Sequence, residues 1–177
     1  MGVLIMVDEV FKYDVAFSFL KDDEGLAVEL DDLIRDRVAT FLYSRRQGEL
    51  AGTDGELSFN EVFAANARIV VVLHRVSWGQ TPWTRIEETA IRNRAFEHGY
   101  DFVIFVPLDE GPLPKWLPKT QIWVGLERWG ARGAAAVIEA RVQDAGGMPR
   151  TESIHDKAAR LKRAADYDTD RKQFFHS

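Results

Sequence analysis

The chain has 177 residues, of which 46% are hydrophobic and 29% charged, as in an ordinary soluble globular protein with room for one core. It contains no cysteine, which excludes disulfides, thiolate catalysis and zinc–thiolate sites and fits a reducing cytosol. A net charge of −5 argues against a general nucleic-acid binder, because phosphate neutralisation needs a basic surface. No apolar run approaches the ~20 residues that span a bilayer. We therefore expect a cytoplasmic protein that binds neither nucleic acid nor membrane.

The first elements alternate between strand and helix. Residues 13–20, YDVAFSFL, are short, apolar and rich in aromatic residues, which predicts a buried strand. Residues 22–39 predict a helix, because acids come early, arginines come late, and apolar residues recur at helical spacing: Leu26, Leu30, Leu33, Ile34 and Val38. Residues 39–43, ATFLY, predict a second short strand.

The next stretch leads to the clearest strand of the chain. Residues 44–57 are polar and rich in glycine, which predicts a long loop. Ser58 and Glu61 form a capping-box pattern that predicts a short helix ending near Ala65. Residues 68–73, RIVVVL, are uninterrupted and β-branched, as expected for a strand that is covered on both faces.

A second helix with clear boundary signals follows the loop HRVSWGQTP. Thr81 is a predicted N-cap, and Pro82 takes the first helical position, where proline has no hydrogen bond to lose. The helix is predicted from about Trp83 to His98 and ends at Gly99, a favourable residue just beyond a helix.

The alternation continues to about residue 149. Residues 101–107 predict a buried strand, residues 121–124 a short last strand and residues 131–144 a helix. Strands that alternate with helices imply an α/β protein with a mostly parallel sheet and helices on both faces. Ligands of such sheets bind beyond the carboxyl ends of the strands, which places residues after Phe19, Tyr43 and Leu73 around one crevice.

The character of the chain changes after Pro149. Residues 150–177 are highly charged and carry one apolar helical stripe, formed by Ile154, Ala158, Leu161 and Ala165. We interpret this segment as an amphipathic helix that packs on the domain or links it to a further domain of a longer protein.

Three stretches, in the expected order, resemble the TIR (Toll/interleukin-1 receptor/resistance) family. YDVAFSF at 13–19 is similar to the family's first-strand box, in which Y/F-D-V-F-L-S-F is common. The loop 44–57 has the place of the family's variable loop over the active site. Residues 70–88, VVVLHRVSWGQTPWTRIEE, resemble the family's third strand, loop and helix start, whose pattern S-x-W-x-x-x-E is filled here by Thr81, Trp83 and Glu87.

This resemblance covers about residues 10–145. It implies a flavodoxin-like three-layer sandwich with a central five-stranded parallel sheet, as a TIR domain over 1–149 and a helical extension over 150–177. In the NAD-cleaving branch of the family the helix glutamate is catalytic, and this role carries over onto Glu87. The resemblance thus implies a bacterial NAD glycohydrolase that releases nicotinamide and ADP-ribose or a cyclised product. It also implies self-association through TIR–TIR contacts, a fused or partner sensor domain, and a role as an assembly-activated effector in anti-phage defence.

The chemistry of NAD explains how one carboxylate could suffice. Nicotinamide is a pyridinium in NAD and departs as a neutral base, so no acid is needed to protonate it. An ionised Glu87 could stabilise the developing oxocarbenium ion or hold the ribose hydroxyls. Trp83, one turn earlier on the same helix face, is predicted to wall the pocket. The positive end of the helix dipole is predicted to keep Glu87 ionised.

The resemblance and the loop positions also give candidates for substrate binding: Ser18, Phe19, Lys21, Arg45, Trp78 and Trp83. Many family members carry a basic residue directly after the S-F pair, where this chain has Leu20, so Lys21 or Arg45 is predicted to contact phosphate or ribose instead. Arg45 and Arg46 could reach the NAD phosphates, and Trp78 could stack on a ring.

Each candidate also has a purely structural interpretation. Glutamates such as Glu87 and its neighbour Glu88 are mostly solvated, and Glu88 is predicted to face solvent. Tryptophans such as Trp83 usually supply packing area, and His74, at the end of a strand, is favoured as structural. Ser18 could satisfy backbone groups, Phe19 could belong to the core, and exposed arginines are often only solvated.

No His/Asp/Glu set has metal-ligand spacing, so no metal is predicted. No G-x-G-x-x-G or P-loop motif is present, so NAD is expected as a substrate and no cofactor is predicted. Three other functions stay open. The chain could be a non-enzymatic TIR–TIR interaction module, or a nucleoside deoxyribosyltransferase-like enzyme. A flavodoxin-like FMN carrier is disfavoured, because the first loop, KDDEG, is acidic.

Overall fold

The computed structural model describes residues 10–45 and 60–176, with side chains described as far as residue 170. Besides shorter helical turns, such as the one at residues 43–45, the described residues form four strands and four long α-helices. In chain order they are β1 (Tyr13–Ser18), α1 (Glu24–Ile34), β2 (Thr40–Phe41), β3 (Ala67–His74), α2 (Pro82–His98), β4 (Val103–Pro107), α3 (Leu126–Asp144) and α4 (Ile154–His176).

The described strands form one parallel sheet in the order β2-β1-β3-β4. The register places Ser18 opposite Val72, and Val72 opposite Phe105, so the carboxyl ends of the central strands lie together. From β1 the chain first adds a strand on one side and later adds the others on the opposite side. The gap between the ends of β1 and β3 is therefore the switch point, where α/β sheets bind their ligands. The predicted α/β class with a parallel sheet is confirmed.

The predicted fifth strand is not confirmed in the part of the chain that the structure describes. Ile122 makes a single parallel bridge with Phe105, and the Trp123 amide donates to the Phe105 carbonyl at 2.9 Å. A 3-10 turn over Lys119–Gln121 precedes this bridge, and Gly125, the residue that caps the start of α3, follows three residues after Ile122. The segment between these turns is too short to extend the ladder along β4.

Side chains alternate between two cores along each central strand, as the period of a strand requires. One core packs under α1 and α3 and takes Ile69, Val71 and Leu73 from β3. The other packs under α2 and takes Val70 and Val72 from the same strand. The sheet is thus covered on both faces, which explains why residues 69–73, IVVVL, contain no polar residue.

The boundaries of α2 follow the predicted signals. Thr81 has extended backbone angles, and its side chain accepts a hydrogen bond from the Thr84 amide at 3.2 Å. Pro82 is the first helical residue, and Gly99 follows the last one with φ of 89°, a conformation that glycine adopts without strain. This capping fixes the rotation of α2 and with it the direction of Glu87.

The segment before β3 differs in part from the predicted short helix. Its described end is a π-helical turn, Val62–Asn66, which runs directly into β3 and buries Phe63. The predicted cap Ser58 lies outside the described residues. Of the predicted loop 44–57, residues 46–57 also lie outside them.

The last two helices correct two details. Gly130, with φ of 64° and ψ of −167°, interrupts α3, so the predicted helix over 131–144 is its second segment. The predicted apolar stripe of α4 is exposed: Ile154 is 88% and Leu161 is 43% accessible. A neighbouring position of α4 is buried instead: Ala164 is 3% accessible and belongs to the core under α1 and α3. Polar contacts add to this packing, because the Tyr167 hydroxyl donates to Asp32 at 2.5 Å and Arg163 pairs with Asp36 at 2.9 Å. In the described part of the chain, none of the helices has the length and apolar character needed to cross a membrane.

Candidate active site

A cavity of about 360 Å³ opens at the carboxyl ends of β1 and β2, beside the switch point of the sheet. Its walls come from the end of β1, the start of α1, the residues after β2 and the first turns of α2. The lining residues are Phe17, Phe19, Lys21, Glu24, Tyr43, Ser44, Trp83 and Glu87. Residues after Phe19 and after Tyr43 therefore share one crevice, as predicted. The loop directly after Leu73 does not line it, and only Trp83 and Glu87, on the helix that follows, reach it from that side.

Glu87 is the buried carboxyl group of this cavity. It lies in the second turn of α2 and is only 7% accessible, although glutamate is among the residues least often buried. The cap at Thr81 and the proline after it set the helix start, so that positions 83 and 87 face the sheet end together. The purely solvated interpretation of Glu87 is therefore wrong.

Two hydrogen bonds connect Glu87 to the interior. The Ser18 hydroxyl donates to Glu87 Oε2 at 2.5 Å, and the Trp78 indole N–H donates to Ser18 Oγ at 2.9 Å. Ser18 is fully buried and Trp78 is 3% accessible. Both lie behind the carboxyl group, and neither lines the cavity.

Burial raises the pKa of Glu87 to about 8, and the hydrogen bond from Ser18 opposes this rise only in part. The prediction that the helix dipole keeps Glu87 ionised is therefore not met in the ligand-free protein. Desolvation outweighs the dipole here because a charged carboxylate loses its water when the side chain is buried. A raised pKa in a cavity is typical of a carboxyl group with a chemical role.

Aromatic rings flank the entrance of the cavity. The centroids of Tyr43 and Trp83 lie 6.5 Å apart with an interplanar angle of 31°. Trp83 is 53% accessible and Tyr43 is 37% accessible. Trp83 therefore does not serve mainly as core packing, because about half of its surface is accessible at the cavity.

Charged residues at the start of α1 complete the wall. Lys21, in a 3-10 turn just after β1, lines the cavity with an exposed side chain, and Phe19 lies beside it. Glu24, the first residue of α1, also lines the cavity and is not among the residues predicted from the sequence. Its position at the N-terminus of a helix after β1 is the signal that could have identified it.

Arg45 lies elsewhere. Its guanidinium pairs with two carboxylates of α1, Asp31 and, at 2.8 Å, Asp32, and it lines a different hollow. The structure therefore does not bring Arg45 to the Glu87 cavity, because two carboxylates already bind its charge. Arg46 lies outside the described residues.

Trp78 and His74 pack inside the protein. The Trp78 ring meets Phe105 at 5.4 Å in an edge-to-face arrangement, and His74 at 5.9 Å. With 3% of its surface accessible, Trp78 offers no face for stacking on a ligand, which corrects that prediction. His74 is equally buried, and burial lowers its pKa, partly opposed by the charge of Asp109. The structural interpretation of His74 agrees with this placement.

Glu88 turns away from the cavity. Its carboxylate packs over Gly79, where an added Cβ would meet Glu88 Oε2 at 1.9 Å, and it lies 3.9 Å from Arg92. Its side chain is 25% accessible, so it is half-buried and not fully solvent-facing as predicted. The adjacent pair Glu87 and Glu88 thus contains one carboxyl group inside the site and one outside it.

The chain is similar to a cyclic ADP-ribose synthase. It is 22% identical over 139 residues to the 3′ cyclic ADP-D-ribose synthase AaTIR of Aquimarina amphilecti. The alignment covers 78% of this chain and 42% of that protein, so the chain spans less than half the length of its relative. No family model matches the chain. The similarity indicates a distant relationship to a TIR protein.

Four of the seven predicted site residues therefore line one cavity: Phe19, Lys21, Trp83 and Glu87. Ser18 and Trp78 join the site through Glu87 and not through the cavity wall. Together these residues present a buried carboxyl group, one cation and two aromatic rings to a ligand. Such a set can bind a positively charged planar group next to the carboxyl oxygen.

Proposed function

We propose that this chain carries a TIR domain over residues 1–149 that hydrolyses NAD at the bond between nicotinamide and ribose, with Glu87 as the catalytic carboxylate. The observation that carries this proposal is the burial of Glu87 in a cavity beside the switch point of the sheet. The distant similarity to a cyclic ADP-ribose synthase supports the same class of bond cleavage.

The geometry suits a reaction in which the leaving group is already charged. When the bond between the ribose C1′ and the ring nitrogen breaks, its electron pair neutralises the pyridinium, and nicotinamide leaves without a proton. Positive charge then develops on C1′ and the ring oxygen, where an ionised Glu87 would stabilise it in a water-poor cavity. Water, or a hydroxyl group of the ADP-ribose itself, adds to C1′ and loses its proton. The product is then ADP-ribose or a cyclised form.

Substrate binding would itself favour the ionised form of Glu87. The free protein holds this carboxyl group mainly protonated at neutral pH, because burial raises its pKa to about 8. A pyridinium placed in the cavity brings a positive charge close to the carboxyl group and lowers that pKa again. Binding of NAD and ionisation of Glu87 are then coupled.

The size of the cavity limits which parts of NAD could lie inside it. A volume of about 360 Å³ lies at the small end of ligand pockets. We place nicotinamide and its ribose inside, with Trp83 against a planar ring, and the rest of NAD along the open mouth. Lys21, exposed at the rim, is the cation that would meet a phosphate.

The cellular role follows from the family resemblance alone. We extend the proposal to a cytoplasmic effector of bacterial anti-phage defence that becomes active when copies assemble under the control of a fused or partner sensor domain. A non-enzymatic TIR–TIR interaction module is the second candidate. The observation that favours it is the exposure of two large apolar side chains near the start of α3, Val124 and Trp129, which are 78% and 60% accessible.

Nicotinamide release from NAD tests the proposal. We expect the protein at high concentration to release nicotinamide, measured by chromatography, and Glu87→Ala to lose at least ~100-fold in rate, as for a group that stabilises transition-state charge. Glu88→Ala is the matched control, since it removes the adjacent carboxylate outside the cavity and should keep the rate. Circular dichroism would show that both variants are folded.

Three results would contradict it. Equal turnover by Glu87→Ala would remove the site assignment. No nicotinamide from the wild type, even in forced assemblies, would favour the interaction module. Release of free base from deoxynucleosides without turnover of NAD would point to a deoxyribosyltransferase-like enzyme.

A further inference from the structure

We propose that Ser18 is a positioning residue that holds the Glu87 carboxyl group in one orientation, and that Trp78 fixes the Ser18 hydroxyl for this purpose. The inference rests on the proposed role of Glu87. Ser18 and Trp78 were predicted to contact the substrate directly, and here they act on it only through Glu87.

The direction of the two hydrogen bonds follows from their chemistry. An indole N–H can only donate, so Trp78 must be the donor in its 2.9 Å contact with Ser18 Oγ. A serine hydroxyl has one hydrogen, and this contact uses one of its lone pairs. The hydrogen is therefore available for Glu87 Oε2, 2.5 Å away. Hydrogen bonds in such a chain strengthen one another in a low-dielectric interior.

Rigid parts of the fold hold both residues of this hydrogen-bond chain, Ser18 and Trp78. Ser18 is the last residue of β1, an inner strand of the described sheet, and pairs in register with Val72 of β3. The Trp78 ring packs edge-to-face on Phe105 of β4. A donor that cannot move can fix a long acceptor, because a free glutamate side chain samples several rotamers.

The contact also assigns the two carboxyl oxygens. Ser18 binds Oε2, and no hydrogen bond from the described residues reaches Oε1. Glu87 lines the cavity, so Oε1 is the oxygen left for a ligand. Fixing Oε2 thereby sets the position of Oε1 relative to the ribose, and a misplaced carboxylate would reach the developing charge less often.

The hydrogen bond from Ser18 lowers the pKa of Glu87 against the larger effect of burial. Loss of the Ser18 hydroxyl should therefore raise that pKa further. The other titratable or charged groups on the cavity wall are Lys21, Glu24 and Tyr43, and they remain in place when Ser18 is changed. A change in the titration of Glu87 on loss of Ser18 can thus be attributed to the one hydrogen bond.

Kinetics of two conservative variants test the positioning role. We expect Ser18→Ala to lower kcat roughly 10- to 100-fold, the range for a hydrogen bond to a charged group, with KM for NAD nearly unchanged. Trp78→Phe keeps an aromatic ring against Phe105 but lacks the donor, so it should lower kcat less. In the Ser18→Ala background, Trp78→Phe should cause no further loss, because both residues act along one path. Ser77→Ala, in the exposed residue next to Trp78, is the matched control and should keep wild-type kinetics.

A direct titration separates this inference from the proposed function. The Glu87 carboxyl carbon, labelled with ¹³C and assigned with Glu87→Gln, should titrate at higher pH in Ser18→Ala than in the wild type. An unchanged kcat together with an unchanged titration midpoint would overturn the positioning role. A rise in KM at constant kcat would also overturn it, since that result indicates direct contact with substrate. If the midpoint moves but the wild type releases no nicotinamide, the positioning contact stands and the proposed function fails.

Discussion

Ser18 Oγ lies 2.5 Å from Glu87 Oε2, although 69 positions separate the two residues in the chain. The contact joins the end of an inner strand to the second turn of α2. A cap at Thr81 fixes where α2 begins, and this sets the rotation that brings Glu87 against the sheet. One buried serine thereby turns a helix glutamate into an oriented group inside a cavity.

The first prediction concerns the pH dependence of NAD cleavage. Because Glu87 must be ionised to act, and its pKa in the free protein is about 8, kcat/KM should rise with pH and level off above about pH 8. The bound pyridinium favours the carboxylate, so kcat should level off at a lower pH than kcat/KM does. Initial rates over a pH series at low and at saturating NAD would measure both midpoints. A kcat/KM that is already flat near neutral pH would contradict the protonated state of the free protein.

The second prediction concerns stability. The pKa of Glu87 is about 8 in the folded protein, against a reference value of 4.5. Below the reference value both states are protonated, and between the two values only the unfolded state loses its proton. The free energy of unfolding should therefore fall as pH rises through this range, by at most about 1.4 kcal/mol per pH unit.

Glu87→Gln cannot ionise, so it does not lose stability in this way. The difference in melting temperature between Glu87→Gln and wild type should therefore grow by several degrees from pH 5 to pH 8, which corresponds to about 1 kcal/mol or more in the free energy of unfolding. Differential scanning fluorimetry at matched pH values would measure this difference, and effects of other titrating groups cancel in it. Glu88→Gln, whose carboxylate lies outside the cavity, is the control. A difference between Glu87→Gln and wild type that does not vary with pH would show that Glu87 titrates normally.

The local signals in the sequence predicted the fold well where packing and local preference agree. The β-branched run of β3 and the cap, proline and glycine around α2 were predicted correctly, because each feature is satisfied within a few residues. The segment 121–124 was misjudged because an apolar run does not reveal how much of it reaches the neighbouring strand. The predicted apolar stripe of α4 was wrong for a related reason, since the sequence does not show which face of the helix is covered. Ala164 is buried in the core, and Tyr167 and Arg163 bind Asp32 and Asp36.

The sequence predicted those features of the site that depend on spacing within one helix or one loop. Spacing alone relates Glu87 to Trp83, but only the fold shows that Glu87 is buried and that Ser18 donates to it. Trp78 was placed at the site for a wrong reason, because its ring is buried and its contribution is the indole N–H. The position of Arg45 could not be predicted from the sequence, since its carboxylate partners, Asp31 and Asp32, lie on the preceding helix α1.

The third prediction concerns the entrance of the cavity. Trp83→Ala should raise KM for NAD about 10-fold, in the range for loss of one stacking face, while the melting temperature stays close to wild type because the ring is half exposed. Phe96→Ala is the matched control, since Phe96 is similarly exposed and lies on the same helix α2 but does not line the cavity. Steady-state kinetics and thermal melts of both variants give the comparison. A large loss of stability with unchanged KM would contradict this prediction and show that Trp83 mainly supports packing.

The fourth prediction concerns Arg45, which the sequence analysis proposed as a phosphate ligand. Asp31 is 1% accessible, and burial raises its pKa, while a hydrogen bond from Thr40 and the charge of Arg45 oppose that rise. Arg45→Gln should therefore destabilise the fold by about 2 kcal/mol in urea denaturation, because it leaves a buried carboxyl group without its cation. The matched control is Arg35→Gln, since Arg35 is 52% exposed and lies 3.9 Å from Asp32, and it should change stability by less than about 0.5 kcal/mol. KM for NAD should stay unchanged in both variants, and a higher KM in Arg45→Gln at wild-type stability would instead support a contact between Arg45 and the substrate.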